Sequence, residues 1–307
     1  MYSISELMRE FLADKDLKPS TQQSYNVACR ALIRRLGDCI VEEIDRKSVI
    51  EWRKDVLRIS IKEVSWNTYM RHLRGMYNFG LKRGLIGVLD NPFADCAVRC
   101  PTRPCKTVSQ EDIQRARNLL SAMIREEDRS FRNGDLYPAW FWRTVFDTFC
   151  YTGIRANELI SLRVQDIDLN QGIIRVTAEI AKNYKERVIP IHDLLMAPLE
   201  KLVAKTKDKK INPGAQLFNV NAFSNRHNKA LMDMDQVGAF YKRLSSKLGA
   251  RYSPHRFRHT LASEMMREPD RNIQTVKELL GHSHINTTMG YVSVNIEQMR
   301  GLLNEVR

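Results

Sequence analysis

Residues 91–106 read Asn91-Pro-Phe-Ala-Asp-Cys-Ala-Val-Arg-Cys-Pro-Thr-Arg-Pro-Cys-Lys106, with three prolines, several basic side chains and no apolar period. Proline fixes φ and removes a backbone donor, so neither a helix nor a strand ladder runs through such a stretch. It reads as a linker that divides the chain into residues 1–100, a connection at 101–108, and residues 109–307. With 307 residues, the chain is long enough for each part to bury a core of its own.

Upstream of the linker the pattern is helical as far as about Gly87. Ile4, Leu7, Met8, Phe11 and Leu12 recur at helical spacing, as do Tyr25, Cys29, Leu32, Ile33 and Leu36 up to Gly37. Trp66, Tyr69, Met70, Leu73, Met76 and Tyr77 make an apolar side, while Arg71, Arg74, Lys82 and Arg83 lie on or near the other. A solvated basic face explains those four cations as readily as a nucleic-acid contact does.

Downstream, Ser109 and Asp112 form a capping-box signature ahead of Ile113, Ala116, Leu119, Leu120 and Met123, so a new helix begins there. Gly172-Ile-Ile-Arg-Val-Thr177 and Arg187-Val-Ile-Pro-Ile191 read as strands, with the polar Ala181-Lys-Asn-Tyr-Lys-Glu186 as their hairpin turn. Helical patterning returns near Asp235, from His255 to Met266, and from Ile273 to Leu280, where Gly281 stops it. The expected fold is therefore mostly α (α+β): a helical N-terminal domain, then a mainly helical C-terminal domain with a small antiparallel β-sheet or hairpin. Residues 124–137 and 205–228 read as insertions. In the last segment, Ile296, Met299, Leu302, Leu303 and Val306 form an amphipathic helix that packs on its own core or on a neighbour.

Lys and Arg outnumber Asp and Glu by 49 to 36, for a net charge of +13. Such a field favours a polyanion, nucleic acid first, although ribosome- and membrane-associated proteins share it. No apolar run approaches a membrane span and the first residues lack a secretory signal pattern, which predicts a cytoplasmic, nucleoid-associated protein without a membrane partner. The six cysteines are too sparse for a disulfide scaffold, and the cluster of Cys96, Cys100 and Cys105 lacks a fourth zinc ligand.

Four local patterns carry chemistry. In Thr152-Gly-Ile-Arg155-Ala-Asn-Glu158, an arginine follows a glycine at a helix start and can face an anion, or simply pair with Glu158. Lys182 in the hairpin turn is an ordinary solvated lysine or a mobile proton donor. In Ser253-Pro-His255-Arg-Phe-Arg258-His259, His255 and Arg258 share a helix face, placing an imidazole beside a bidentate phosphate donor. The spacing of His255 and His259 also admits a metal, but no acidic residue completes a zinc motif. In Leu279-Leu-Gly-His282-Ser-His284 onward to Tyr291, a histidine follows a helix stop and a tyrosine follows a short polar connection.

Taken in order, these patterns resemble the tyrosine recombinase family, also called the phage integrase family. The likeness runs from about Thr107 to Val294, and the helical first domain is similar to that family's core-binding domain. It implies that Arg155 and Arg258 are the catalytic arginines, Lys182 the hairpin lysine, His255 and His282 the two histidines, and Tyr291 the nucleophile, with Glu158 in a supporting role. Lys185 is a second candidate for the hairpin role, because the turn is longer than in compact members. The implied reaction is cleavage and rejoining of a double-stranded DNA recombination site through a 3′-phosphotyrosine and a Holliday junction. It implies a homo-tetramer, no cofactor and no metal, with an accessory or directionality protein as a further partner. Arg71, Arg74, Lys82 and Arg83 would contact DNA. Two other readings use the same residues: relaxation of DNA by type IB topoisomerase chemistry, and a DNA-binding regulator with an inactive catalytic domain.

Overall fold

The computed structural model describes residues 1–59, 61–87, 89–101, 106–130, 134–226, 229–267, 272–281 and 284–289. They form two compact units, Met1–Arg103 and Pro104–Arg307. Among the described residues no helix is long and apolar enough to cross a membrane.

The first unit contains α1 (Ile4–Asp14), α2 (Pro19–Leu36), α3 (Arg46–Ile59) and α4 (Glu63–Lys82). Ser3 and Glu6 close a capping box on α1, and Gly37 ends α2 at φ +78°. The apolar stripes meet in one core, in which Leu7, Leu32, Trp66, Leu73 and Tyr77 are fully buried. Trp52 and Trp66 meet edge to face at 4.9 Å, and the Tyr77 hydroxyl donates to the Val41 carbonyl at 2.9 Å. The opposite face of α4 carries Arg71, Arg74, Asn78 and Lys82, all exposed, at spacings that place them in one row. Arg83 just beyond it is drawn off by an ion pair with Asp14 at 2.5 Å.

The second unit is built around α6 (Ala139–Thr152), which is apolar on nearly all sides and is accordingly covered by α5 (Gln110–Ser130), α8 (Asp193–Asp208) and α10 (Pro254–Met265). Asp147, 3% exposed, is the acid inside this packing, and it is held between Arg117 and Arg143. After α7 (Ala156–Ser161), three short antiparallel strands follow in sequence order: β1 (Ile167–Asp168), β2 (Ile173–Val176) and β3 (Arg187–Pro190). Ile174 faces Ile189 and Val176 faces Arg187. The unit closes with α9 (Met234–Leu248), α11 (Ile273–Leu280) and α12 (Ile285–Met289).

Several segments that the sequence described only locally take a defined place in this arrangement. Residues 124–130 continue α5, and the Glu127 carboxylate accepts the first backbone N–H of α6, at 2.9 Å to its closer oxygen, so this part of the expected insertion caps a core helix. Residues 205–208 finish α8, and Leu217, Phe218 and Val220 are fully buried. Gln216 cross-links this second expected insertion to the Ile160 and Met232 carbonyls. The β2–β3 connection begins at Thr177, and Ala181 within it is buried in the core. The polar connection before Tyr291 contains α12, with Thr288 fully buried. In each case tertiary burial decided what a short or polar segment does.

Candidate active site

The site is assembled at the ends of helices. The chain leaves α6 through Gly153, in the left-handed region at φ +57°. A Cβ at this position would lie 3.0 Å from Leu280 Cδ2 and 3.1 Å from Leu261 Cδ2, so the left-handed backbone favours glycine and a side chain would also oblige both leucine ends to give by a few tenths of an ångström. Gly153→Ala is expected to cost about 2–4 kcal/mol, read as a lower urea midpoint at unchanged slope. An unchanged midpoint would show that α10 and α11 yield freely at this contact.

Arg155 then sits at the N-cap of α7. Glu158, 1% exposed, accepts the Arg155 backbone N–H at 3.1 Å and its Nη1 at 2.8 Å. Arg258 comes from α10, whose first turn is set by Pro254 and by the Ser253 hydroxyl, which accepts the Arg256 N–H at 3.3 Å. Its guanidinium is buried and bridges two carbonyls, donating through Nη1 to Gly153 at 2.9 Å and through Nη2 to Leu280 at 2.5 Å. Arg155 Nη2 takes the next carbonyl, Gly281, at 2.7 Å. A third guanidinium, Arg187 on β3, donates Nε to Leu279 at 3.2 Å and both Nη groups to Glu158, the closer at 2.7 Å.

Three consecutive carbonyls at the C-terminal end of α11 thus each receive one guanidinium. That end lacks intrahelical donors and carries the negative pole of the helix dipole, so cations suit it. Burial pushes the Glu158 carboxyl up, but the hydrogen bonds and charges of Arg187 and Arg155 outweigh it and hold the group below the usual carboxylate range. Glu158 therefore stays anionic, as one carboxylate among three guanidiniums, and the cluster keeps an excess of positive charge beside Gly281. A guanidinium has five N–H donors, so a cluster of three has capacity for an anion beyond these contacts.

His255 lies exposed one turn before Arg258, and its Nε2 is 2.6 Å from Nε2 of His259, so one ring donates to the other. Burial lowers the basicity of His255, and Arg258 adds to the effect. At His259, burial, His255 and Arg258 together take the value down to about 4. Both rings are neutral at pH 7, and His255 is available as a base. Because the folded-state value is depressed, the unfolded chain binds more protons below the ordinary histidine value of ~6.5. Stability linked to His259 is therefore complete above that pH and lost as pH falls toward about 4. Thermal melts should show this loss in the wild type and a shallower one in His259→Gln; equal slopes would remove His259 from the acid transition.

Lys182 is exposed on the β2–β3 connection. Lys185, on the same connection, lines a cavity of about 600 Å3 together with Arg187, Gln274, Lys277 and Gly281. His282 and Tyr291 lie outside the described residues; Gly281, at the arginine cluster, directly precedes His282. Sequence reasoning passed over Arg187. Its one signal was parity: it shares an inward strand face with the buried Ile189, an unusual place for a cation.

Residues 138–298 match the profile of the phage integrase family. A protein of Pseudomonas syringae described as a putative tyrosine recombinase XerC is 42% identical over 303 residues, covering 99% of this chain and 64% of that protein. A protein of the same description from Pseudomonas aeruginosa is 38% identical over 301 residues, covering 97% of this chain and 70% of that protein. The chain thus spans about two thirds of the length of these relatives. In fold it is similar to the Tn1549 transposon integrase solved in complex with transposon right end DNA, with a TM-score of 0.76, 18% identity and 99% of each chain covered. The lambda integrase tetramer bound to a Holliday junction gives a TM-score of 0.69 at 18% identity, over 95% of this chain and 77% of that one.

Proposed function

Because the chain belongs to the phage integrase family, with more than half of its residues inside the family match, we propose that it is a site-specific tyrosine recombinase that cuts and rejoins duplex DNA through Tyr291. The observation that carries this reading is the convergence of Arg155 and Arg258 on the adjacent Gly281 and Leu280 carbonyls, in a cluster with excess positive charge.

A phosphodiester under attack gathers negative charge on its non-bridging oxygens, and two planar guanidiniums fixed in advance stabilise that charge without reorganising. The Tyr291 oxygen attacks phosphorus and its proton passes to the neutral His255. The bond from phosphorus to the 5′ oxygen breaks, and Lys182 supplies the proton that makes the 5′-hydroxyl a good leaving group. His282 hydrogen-bonds the phosphate. The phosphotyrosine retains the energy of the broken bond, so attack by a 5′-hydroxyl reverses the step without a nucleotide cofactor.

Arg71, Arg74 and Lys82 contact the DNA backbone, while Arg83 contributes less because Asp14 already neutralises it. We extend the reading to a homo-tetramer at a Holliday junction, the assembly in which the lambda integrase was solved, and to an accessory or directionality protein as a further partner. The net charge of +13 suits a nucleoid-associated protein in the cytoplasm.

The test uses a pool of nicked duplexes with a randomised core, incubated with the protein with and without EDTA and resolved on denaturing gels. An EDTA-resistant adduct, with the nucleotide mapped by mass spectrometry to the peptide containing Tyr291, is the expected outcome. DNA retained on native gels but never covalently attached would overturn it.

A further inference from the structure

Arg187 touches both halves of the catalytic cluster without belonging to the motif set. Its side chain is 9% exposed, and its bidentate contact with Glu158 is the geometry in which a guanidinium is held most firmly. The Glu158 Oε1 that accepts Arg187 Nη1 at 3.2 Å also accepts Arg155 Nη1 at 2.8 Å. Arg155 continues to the Gly281 carbonyl, and Arg187 to the Leu279 carbonyl two residues earlier. The contacts therefore close a ring: Arg187, Glu158, Arg155, the last turn of α11, and Arg187 again.

We propose, on the basis of the recombinase reading above, that Arg187 is a positioning residue for strand cleavage, tying the Arg155–Glu158 pair on α7 to the C-terminal end of α11. α7 has only six residues, too few to hold Arg155 through its own helical hydrogen bonds. Arg155 is also the more exposed partner of Glu158, 24% against 9% for Arg187, and so the one with more room to turn. Gly281 allows the ring to close. A Cβ there would stand 3.0 Å from Arg187 Nη1 and 3.1 Å from its Cδ and Cζ. The glycine that stops α11 is also the bare surface on which Arg187 rests, so the α11 end, Arg187 and Arg155 share one fixed geometry. Misplacing a group that must meet the transition state slows the step more than it weakens ground-state binding.

The test is single-turnover cleavage, by the full chain, of a duplex recovered from the randomised pool. Arg187→Ala is expected to lower the rate constant at saturating DNA by about tenfold to a hundredfold while DNA affinity stays unchanged. Arg187→Lys keeps the charge but has no fork to span Glu158 and Leu279, so it should recover only part of the rate and decides the question if the alanine variant does not fold. Arg175→Ala is the control, because that arginine, on β2, is 42% exposed and pairs with Asp168 of the edge strand β1, and it should cleave as wild type. Combining Arg187→Ala with Arg155→Lys should cost less than the product of the two losses, since both act on one guanidinium. A wild-type rate in Arg187→Ala, a defect confined to affinity, or full multiplicativity with Arg155→Lys would overturn the role of Arg187 while leaving the recombinase reading intact. Wild-type protein that never links to DNA would instead remove the reading itself, and the inference with it.

Discussion

Tyr291→Phe is expected to bind DNA as the wild type does and to form covalent adduct at least about 10^4-fold more slowly. Phenylalanine keeps the ring and loses one oxygen, the atom that must bond to phosphorus. The guanidiniums of Arg155 and Arg258 then still gather the phosphate, but nothing attacks it. Binding should survive because contacts to the phosphate backbone supply most of the affinity and its salt dependence. Native gels measure the first quantity and denaturing gels the second, on the same nicked duplex. An adduct formed at the wild-type rate by Tyr291→Phe would transfer the nucleophile to another residue.

Replacing Arg258 is expected to damage both stability and cleavage. The residue is 5% exposed, and its guanidinium holds the Gly153 and Leu280 carbonyls at once, joining the end of α6 to the end of α11. Hydrogen bonds from a charged donor contribute about 1.5–3 kcal/mol each, so Arg258→Leu should lose about 2–5 kcal/mol after the leucine recovers some burial. Cleavage by the fraction that remains folded should fall by about 10^2–10^3-fold, the usual loss when one preorganised donor to transition-state charge is removed. Arg258→Lys separates the two effects: it returns a charge to the pocket, yet one ammonium cannot bridge two carbonyls with a planar fork. Urea unfolding and single-turnover rates on folded protein report the two losses independently. A leucine variant that melts as wild type would show that the carbonyls find other donors.

The long helices were legible because their apolar residues repeat at one period and their ends carry ordinary stop signals. Ser3 and Glu6 cap α1, Ser109 and Asp112 begin α5, and Gly37 and Gly281 end α2 and α11 as glycines past a helix do. That Leu217, Phe218 and Val220 belong to the core was not legible, because they lie in largely irregular chain between α8 and α9. Leu217 and Phe218 are buried by what packs on them, and Gln216 holds the segment by hydrogen bonds to carbonyls distant in sequence. No period records such contacts.

Within the site the same division holds. Residue types and order in the sequence determined that this chain carries Arg155, Lys182, His255, Arg258, His282 and Tyr291 in the family's succession, and hence which chemistry to look for. Local spacing also determined that His255 and Arg258 share a turn, because i to i+3 neighbours meet on any helix, and it offered the Arg155–Glu158 pair as one of two readings. Only the tertiary structure decided that Arg155, Arg187 and Arg258, drawn from three elements, meet on consecutive carbonyls of α11. The same is true of Gly153 and Gly281, where a Cβ would meet side chains of other elements at 3.0 Å in addition to the left-handed backbone. The physical reason is range: propensity and capping act within a few residues, whereas the end of a helix is completed by whichever donors the packed core brings to it.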